Sequence, residues 1–515
     1  MGVDGVAPLL DAVRTVDYDL VKQAFDTVPG TRATDGGYAV HTVETPRWPG
    51  TSGSRAGTED GPVLTRATPC PTVTFQPAPG EPRAMYERLK GFRDFFPPEM
   101  AARRAVVDTV EDVARRYGFR EIDTPRLEPA EMWTDKAGDD IVDELYAFED
   151  RGGRHVTLTP ELTPTVARMV VDRGQELPKP IKFFSTRPFW RYEAVQQGRF
   201  REFHQTNADI FGTSEPTADA EVLAFAGDAL TELGLDGGDF EFRVSHRDIL
   251  GNLIESFESD VNTREAIRAV DKRAKVDDDE YLGLLAEAGL SRADARSFDD
   301  LIADDDLDAV AEAGNEAVNA AVDNLRAVLD AAADFGVREH CEVSLATARG
   351  LDYYTGVVFE CFDSTGEVSR SVFGGGRYDD LIGSFGGQPT PAVGVAPGHA
   401  TLHLLCQRAG VYPDEAVSTD YYVLSVGDTR PETLDVARAL RTRGHVVETD
   451  LNDRGFGSQL SYADGVNAET VVVVGERDLS EGNVTVKNME SGDETTAPFD
   501  SFPGEHERPT YDDFV

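Results

Sequence analysis

Two different rhythms divide the chain and limit the folds open to it. From position 419 onward, "DYYVLSV", "PETLDVARALRTRG", "HVVETD", "FGSQLSYADGVNA", "ETVVVVG" and "NVTVKNM" alternate strand-like and helix-like runs. This alternation predicts a parallel α/β module over 419–515. No Gly-x-Gly-x-x-Gly follows its first strand, which argues against a dinucleotide site there. Upstream the alternation is absent. Val106, Val110, Val113 and Tyr117 step by four, three and four, placing one apolar stripe on a helix that starts near 99 and stops at Gly118. "FREIDTP" follows as a strand ended by Pro125, and strand-like runs recur at 156–159, 181–193, 200–211, 240–244, 341–345, 354–362 and 391–396. Helical patterns separate some of these and short loops join others, which predicts an α+β, mostly antiparallel core. Residues 247–337 are acidic, rich in alanine and without strand pattern, and read as an inserted helical domain. The core is therefore split into 85–246 and 338–412.

Charge says little about partners. The formal net charge is -44, from 94 acidic and 50 basic residues, and only eight of the basic ones are Lys. Acidic blocks such as "VDDDE" at 276 and "ADDDLD" at 303 lie among periodic apolar residues, so they belong to folded helices rather than to a disordered acidic tail. A carboxylate-rich, Lys-poor surface fits a halophilic chain, because molar salt shortens the Debye length to about 3 Å and screens self-repulsion. Residues 1–84 do not share the bias: they carry 7 basic and 10 acidic residues and are rich in Gly, Pro, Thr and Ser. They read as a disordered extension or as translated sequence ahead of a start at Met85. No stretch approaches the roughly 18 apolar residues of a spanning helix, and the N-terminus lacks the order of a signal peptide, so a cytoplasmic location without a membrane partner is expected. Cys70, Cys341, Cys361 and Cys406 form no Cys-x-x-Cys pair; free thiols are expected, with no metal site and no disulfide framework.

Four segments carry chemistry. "RPFWRYEAVQQGRFREFHQTNADIFG" at 187 reads as two strands joined by "AVQQG". Alternation puts Arg187, Phe189, Arg191 and Glu193 on one face of the first strand, and Arg199, Arg201, Phe203, Gln205 and Asp209 on one face of the second. Such a face is either a solvated hairpin with surface ion pairs or a nucleotide site, where guanidinium groups grip phosphate and a ring stacks on a base. "TLTPELTPTVAR" at 157 ends a strand and begins a helix, with Thr163 placed to cap and Pro164 at the first helical position. Glu161 at that corner can accept from an ammonium group or simply complement the helix dipole. "ATARGLDYYTGVVFE" at 346 puts Arg349 in a turn before Tyr353 and Tyr354, either as packing or as a site. "FGGGRYDDLIGSFGGQPTPAVGVAPGHATLHLL" at 373 runs three glycines into Arg377, which allows a close backbone approach or marks a plain hairpin turn.

Taken in this order, and preceded by "LKGFRDFFPPE" at 89, these segments resemble the histidyl-tRNA synthetase family of class II aminoacyl-tRNA synthetases, over about 86–515. "RGLDYYTGVVFE" resembles a signature specific to that family. The resemblance implies a six-stranded antiparallel catalytic sheet, a helical insertion, a C-terminal α/β anticodon-binding domain and a homodimer. It implies ATP-dependent ligation of L-histidine to tRNA(His) through a histidyl-adenylate, with release of AMP and pyrophosphate and with Mg2+ accompanying ATP.

By the same resemblance, Arg191 and Arg349 are the catalytic cations at the α-phosphate. Glu161, Thr163, Gln205, Asp209, Tyr353 and Tyr354 bind histidine, and Arg191, Glu193, Arg199, Phe203 and Arg377 bind ATP. One departure stands out. In "GVAPGHATL" at 394, Thr401 occupies the position where the family's third motif has an arginine, so one ATP-binding cation is missing from its usual place, and Arg377, His399 or a K+-rich solvent is left to compensate, or ATP affinity is lower. That gap also supports the alternative of a synthetase-like regulatory subunit without aminoacylation activity.

Overall fold

Pro97 and Pro98 open the helix Pro97–Arg116, since proline in the first turn gives up only an N–H that has no helical partner. The Glu99 carboxylate accepts the Phe96 backbone N–H at 2.8 Å, and the helix therefore starts ahead of the apolar stripe. Val106, Val110 and Val113 form its buried face. The computed structural model describes residues 86–501 except 135–138, 258–260, 274–275, 348–352 and 414–417; the extension 1–84 and Cys70 lie outside the described residues. These fall into two units, one over Arg88–Val417 and one beginning at Ser418.

The first unit is built on an eight-stranded sheet. Its strands are β1 (Arg120–Glu121), β2 (Ile181–Trp190), β3 (Glu202–Phe211), β4 (Phe240–His246), β5 (Cys341–Val343), β6 (Val357–Asp363), β7 (Phe373–Arg377) and β8 (Ala392–Val395). They lie in the order β1-β2-β3-β8-β7-β6-β4-β5. From β2 to β4 every neighbour is antiparallel, and the two short edge strands pair parallel.

β7 corrects the hairpin-turn option for its three glycines. A Cβ on Gly375 would lie 2.2 Å from the Gly394 carbonyl oxygen and 2.6 Å from the Phe359 ring. Glycine is thus imposed by the closeness of β8 and β6, although it has low strand propensity.

One face of the sheet carries a large core shared by helices Pro97–Arg116, Pro216–Glu232, Glu316–Asp334 and His399–Ala409, with Val106, Phe225, Leu325 and Leu405 among its members. Among the described residues of 247–337 there are six helices, and Leu250, Tyr281 and Phe298 from them join this same core. Its acidic blocks sit at helix starts: Asp277 accepts from the Glu280 N–H, and Asp306 from the N–H groups of Asp308 and Ala309, where carboxylates satisfy orphan donors and face the positive end of the helix. On the other face, Val166 of helix Thr163–Arg173 and its N-cap Leu162 pack with Phe189, Phe211 and Tyr378.

The second unit has five strands, β9 (Thr419–Val426), β10 (Val447–Thr449), β11 (Ala468–Gly475), β12 (Asn483–Asn488) and β13 (Glu494–Pro498), in the order β10-β9-β11-β12-β13. β10, β9 and β11 are parallel, as expected for this module, but β12 and β13 return antiparallel. Residues 476–482 are too few for the crossover of roughly a dozen that a parallel return needs. Among the described residues, Cys341, Cys361 and Cys406 are free and buried, and no helix is long and apolar enough to cross a membrane.

Candidate active site

A cavity of about 1050 Å3 opens over β3, β6, β7 and β8. It gathers Glu161, Thr163, Arg191, Glu193, Arg199, Phe203, Gln205, Asp209, Tyr353 and Tyr354 along one wall or another, so ten of the residues picked from sequence meet in one place. Arg349 lies outside the described residues.

The hairpin that supplies half of them ends earlier than alternation suggests. β2 and β3 pair from Ile181 with Phe211 to Trp190 with Glu202, which leaves Arg191, Glu193 and Arg199 in the connecting loop. Freed from the pleat, these side chains turn toward the cavity. Arg191 donates from Nε to the Pro160 carbonyl at 3.0 Å, and its guanidinium lies 5.5 Å from the centre of the Phe203 ring. Phe203 in turn packs on Phe189, ring centres 6.0 Å apart. Arg199 pairs with Glu193 at 2.8 Å; burial raises the proton affinity of Glu193 even though Arg199 and Arg191 oppose it.

Arg187 is on the predicted face but is not available. It is 1% exposed, and its guanidinium donates to the Thr124 carbonyl at 2.8 Å, the Pro125 carbonyl at 3.0 Å and the hydroxyls of Thr124 and Thr159. The segment 124–125 covers that end of the strand, which alternation could not reveal. Arg201 lies against Tyr192, 3.7 Å from its ring centre.

A second group of residues is buried and poor in cations. Asp209 accepts the hydroxyl hydrogen of Tyr378, and Tyr353 donates to Glu161 at 3.1 Å. Burial pushes the Asp209 carboxyl up to about 7, with the charge of Glu161 adding to it and the Tyr378 hydrogen bond working against it. The Tyr353 ring stands 5.1 Å from Tyr354 and 5.8 Å from Tyr378, centre to centre. Tyr378 was not singled out from sequence; as the neighbour of Arg377 at the end of β7 it points to the opposite face, and that parity was the available signal. Gly394 is a second omission: a Cβ there would sit 2.0 Å from Asp209 Oδ1, so the carboxylate occupies the space that glycine leaves. Gln205 donates to Asn207 at 3.0 Å.

Three expectations are corrected. Thr163 does not cap its helix: the helix begins at Thr163 with Leu162 as N-cap and no side-chain cap bond, while the Thr163 hydroxyl meets the Tyr353 phenol. Arg377 is not on the cavity wall. Its guanidinium is buried and held by Asp219 at 3.0 Å, Asp379 at 3.1 Å and the Thr213 carbonyl at 3.1 Å, which leaves it occupied within the fold rather than open to a phosphate. His399, the other suggested substitute, turns away to the Thr206 hydroxyl at 2.9 Å and lines a separate cavity of about 330 Å3. Thr401 does line the main cavity, and its hydroxyl donates to the Val372 carbonyl.

The two groups differ in what they can bind. Guanidinium groups beside a partly buried ring at the cavity wall suit a polyanion carrying a planar base. Paired carboxylates and phenols in a closed aromatic box suit a small cation or a donor ring.

Residues 91–402 match a family model described as Histidyl-tRNA synthetase, and 420–507 match one described as Anticodon binding domain. The chain is similar to a histidine–tRNA ligase of Natronomonas pharaonis, at 71% identity over 432 residues covering 84% of this chain and 100% of that relative. It is similar to one of Halorubrum lacusprofundi at 72% over 441 residues, with the same coverage of 84% and 100%. Among solved structures, the histidyl-tRNA synthetase of Nostoc sp. superposes with a TM-score of 0.67 at 25% identity, over 81% of this chain and 98% of that one.

Proposed function

The chain belongs to the histidyl-tRNA synthetase family, and from that premise we propose how its cavity ligates histidine to tRNA at the expense of ATP. The histidine carboxylate attacks the α-phosphorus of ATP, the bond to the β-phosphate breaks, and pyrophosphate leaves. The terminal ribose hydroxyl of tRNA(His) then attacks the acyl carbon of the histidyl-adenylate and AMP departs. Two anions meet in the first step, so the barrier is lowered by fixed positive charge rather than by a side-chain nucleophile. Arg191 takes the α-phosphate, and Arg349 is assigned to the opposite side of the same centre.

Phe203 stacks on adenine, Glu193 reads its amino edge, and Arg199 leaves Glu193 for a distal phosphate. Glu161, Thr163 and Gln205 hold the α-amino group. Asp209, fixed by Tyr378, accepts from the imidazole, with Tyr353 and Tyr354 closing the box; a wrong side chain would leave these buried polar groups unpaired, which is the costly outcome that gives selectivity. Mg2+ is expected to travel with the phosphates. Among the described residues no three His, Cys, Asp or Glu side chains converge on a metal position, so no step is assigned to a protein-held ion.

The observation that carries this reading is the meeting, in one cavity, of Arg191 on the Phe203 ring with the buried pairs Asp209–Tyr378 and Glu161–Tyr353. Histidine-dependent exchange of ATP and pyrophosphate, measured on the full chain in molar KCl, tests it. Exchange that needs histidine and collapses in Arg349→Ala is expected; exchange undiminished by that substitution removes Arg349 from the reacting centre. The regulatory-subunit alternative predicts no exchange at all.

Residues 85–246 and 338–412 are assigned to the catalytic core, 247–337 to an insertion and 419–515 to anticodon binding. The chain is read as a cytoplasmic, halophilic homodimer. In molar salt phosphate contacts contribute little to tRNA affinity, so tRNA(His) binding is expected to rest on shape and base contacts and to change little across the molar KCl range. Filter binding at rising KCl checks this, and a steep loss contradicts it.

A further inference from the structure

The cavity contains a cation that the reading above leaves without a task. Arg243 pairs with Glu241 at 2.8 Å, and Arg273 pairs with Asp278 at 2.8 Å and Asp299 at 3.1 Å, so both are answered by carboxylates. Arg199 is answered by Glu193. Arg370 lines the same cavity, yet among the described residues its buried Nη1 has no hydrogen-bond partner and it makes no ion pair. Burial and the nearby Arg199 charge both work against its ionised form, with Glu193 and Glu360 favouring it. A half-buried guanidinium beside a second guanidinium, with a donor unmet, is costly until an anion bridges the two.

The segment that carries Arg370 is fixed at both ends. Where it leaves β6, the Asp363 carboxylate accepts the backbone N–H groups of Thr365 at 3.0 Å and Val368 at 2.8 Å, and pairs with Arg408 at 3.0 Å. Where it enters β7, the Ser371 hydroxyl donates to the Phe373 carbonyl at 3.0 Å, and the Val372 carbonyl accepts the Thr401 hydroxyl. Thr401 therefore supplies no charge to the cavity but fastens the backbone two residues after Arg370. Arg377 and His399, the two substitutes suggested by sequence, are engaged elsewhere.

We propose that Arg370 binds the distal phosphates of ATP, supplying from the β6–β7 connection the positive charge that position 401 lacks. The ligand is the β,γ-diphosphate portion of a nucleoside triphosphate, and after bond cleavage the same contact holds pyrophosphate. This inference rests on the ATP reading of the cavity given above.

Arg370→Ala and Arg370→Gln, assayed as full chains by histidine-dependent pyrophosphate exchange in molar KCl, test it. Loss of a charge-assisted contact predicts a rise in the ATP KM of about 10- to 100-fold. The histidine KM should stay within about twofold, and inhibition by AMP, which lacks the distal phosphates, should be unchanged. Arg370→Lys should recover part of the ATP KM, because the point charge remains while the planar fork is lost. A wild-type ATP KM in both Arg370→Ala and Arg370→Gln overturns the assignment, as does equal weakening of ATP and AMP, or a rise in the histidine KM together with a lowered melting temperature. If the unmodified chain shows no histidine-dependent exchange, the ATP reading itself fails; if it does exchange and the variants match it, only the role of Arg370 fails.

Discussion

The two groups of residues in the cavity solve opposite electrostatic problems. Around Arg191, Arg199 and Glu193 the charges are held in a loop, with Arg199 open to solvent and Glu193 paired with it; around Asp209 and Glu161 they are buried, share hydrogen bonds with phenols and sit within reach of each other's charge. In the first group the charges of Arg199 and Arg191 oppose the effect of burial on Glu193. In the second, burial raises the cost of ionising Asp209, so its protonation and ligand binding become linked. Position is thus set by loop reach in one group and by close packing in the other, and substitutions should fail in different ways.

The largest expected effect is that of Arg191→Ala, which removes a fixed charge aimed at the reacting phosphorus. Its turnover in pyrophosphate exchange should fall by about 100- to 1000-fold with the melting temperature unchanged. A drop under about tenfold would mean that the loop cations are not aimed at the chemistry.

In the buried group, Gly394→Ala places a methyl group where Asp209 Oδ1 now sits. Both the histidine KM and the melting temperature should suffer, by roughly 1–3 kcal/mol in stability as for other overpacked sites; thermal unfolding reads this directly.

Asp209→Asn separates binding from stability. Below about pH 4 the Asp209 carboxyl is protonated in folded and unfolded chains alike and has no differential effect. Between about 4 and its folded value of about 7 the unfolded chain ionises first, so the carboxylate lowers stability as pH rises, and above that the loss is complete. The asparagine variant should therefore melt higher than wild type near neutrality and above, with the gap closing toward pH 4, while its histidine KM rises by about 10- to 100-fold. An unchanged melting temperature at neutral pH would show that Asp209 is not burdened by burial.

Two smaller effects sharpen the contrast. Phe203→Ala should raise the ATP KM by about three- to tenfold, the scale of one aromatic stacking contact, without touching the histidine KM. Raising KCl within the molar range should weaken ATP by no more than about two- to threefold and leave histidine unchanged, since screening reaches the open cations before the buried carboxylates.

The same contrast separates what could be read along the chain from what could not. The loop group was legible because arginines, a phenylalanine and a glutamate stand within a short span, and alternation suggested a common face. Arg187, on the predicted face, and Arg377, expected at ATP from the glycine segment, are arginines whose side chains are consumed by partners in other segments: Thr124 and Thr159 for one, Asp219 for the other. The buried group was only half legible. Gly394 comes into play through cross-strand register, opposite Asp209, which no local pattern marks, and parity with Arg377 is the one local sign of Tyr378. Arg370 was missed because it stands alone between serines, without a periodic context.

By itself the sequence determined most of the helical and extended segments, the helical character of 247–337, and the family, because periodicity and spaced signature residues are properties of neighbours along the chain. Tertiary structure alone decided which arginines face the cavity, why three glycines form a strand rather than a turn, and which protons are displaced by burial. Those outcomes depend on what covers each side chain, and the covering atoms come from other segments of the chain: 28 and 63 residues away for Thr159 and Thr124 on Arg187, 158 for Asp219 on Arg377 and 169 for Asp209 on Tyr378.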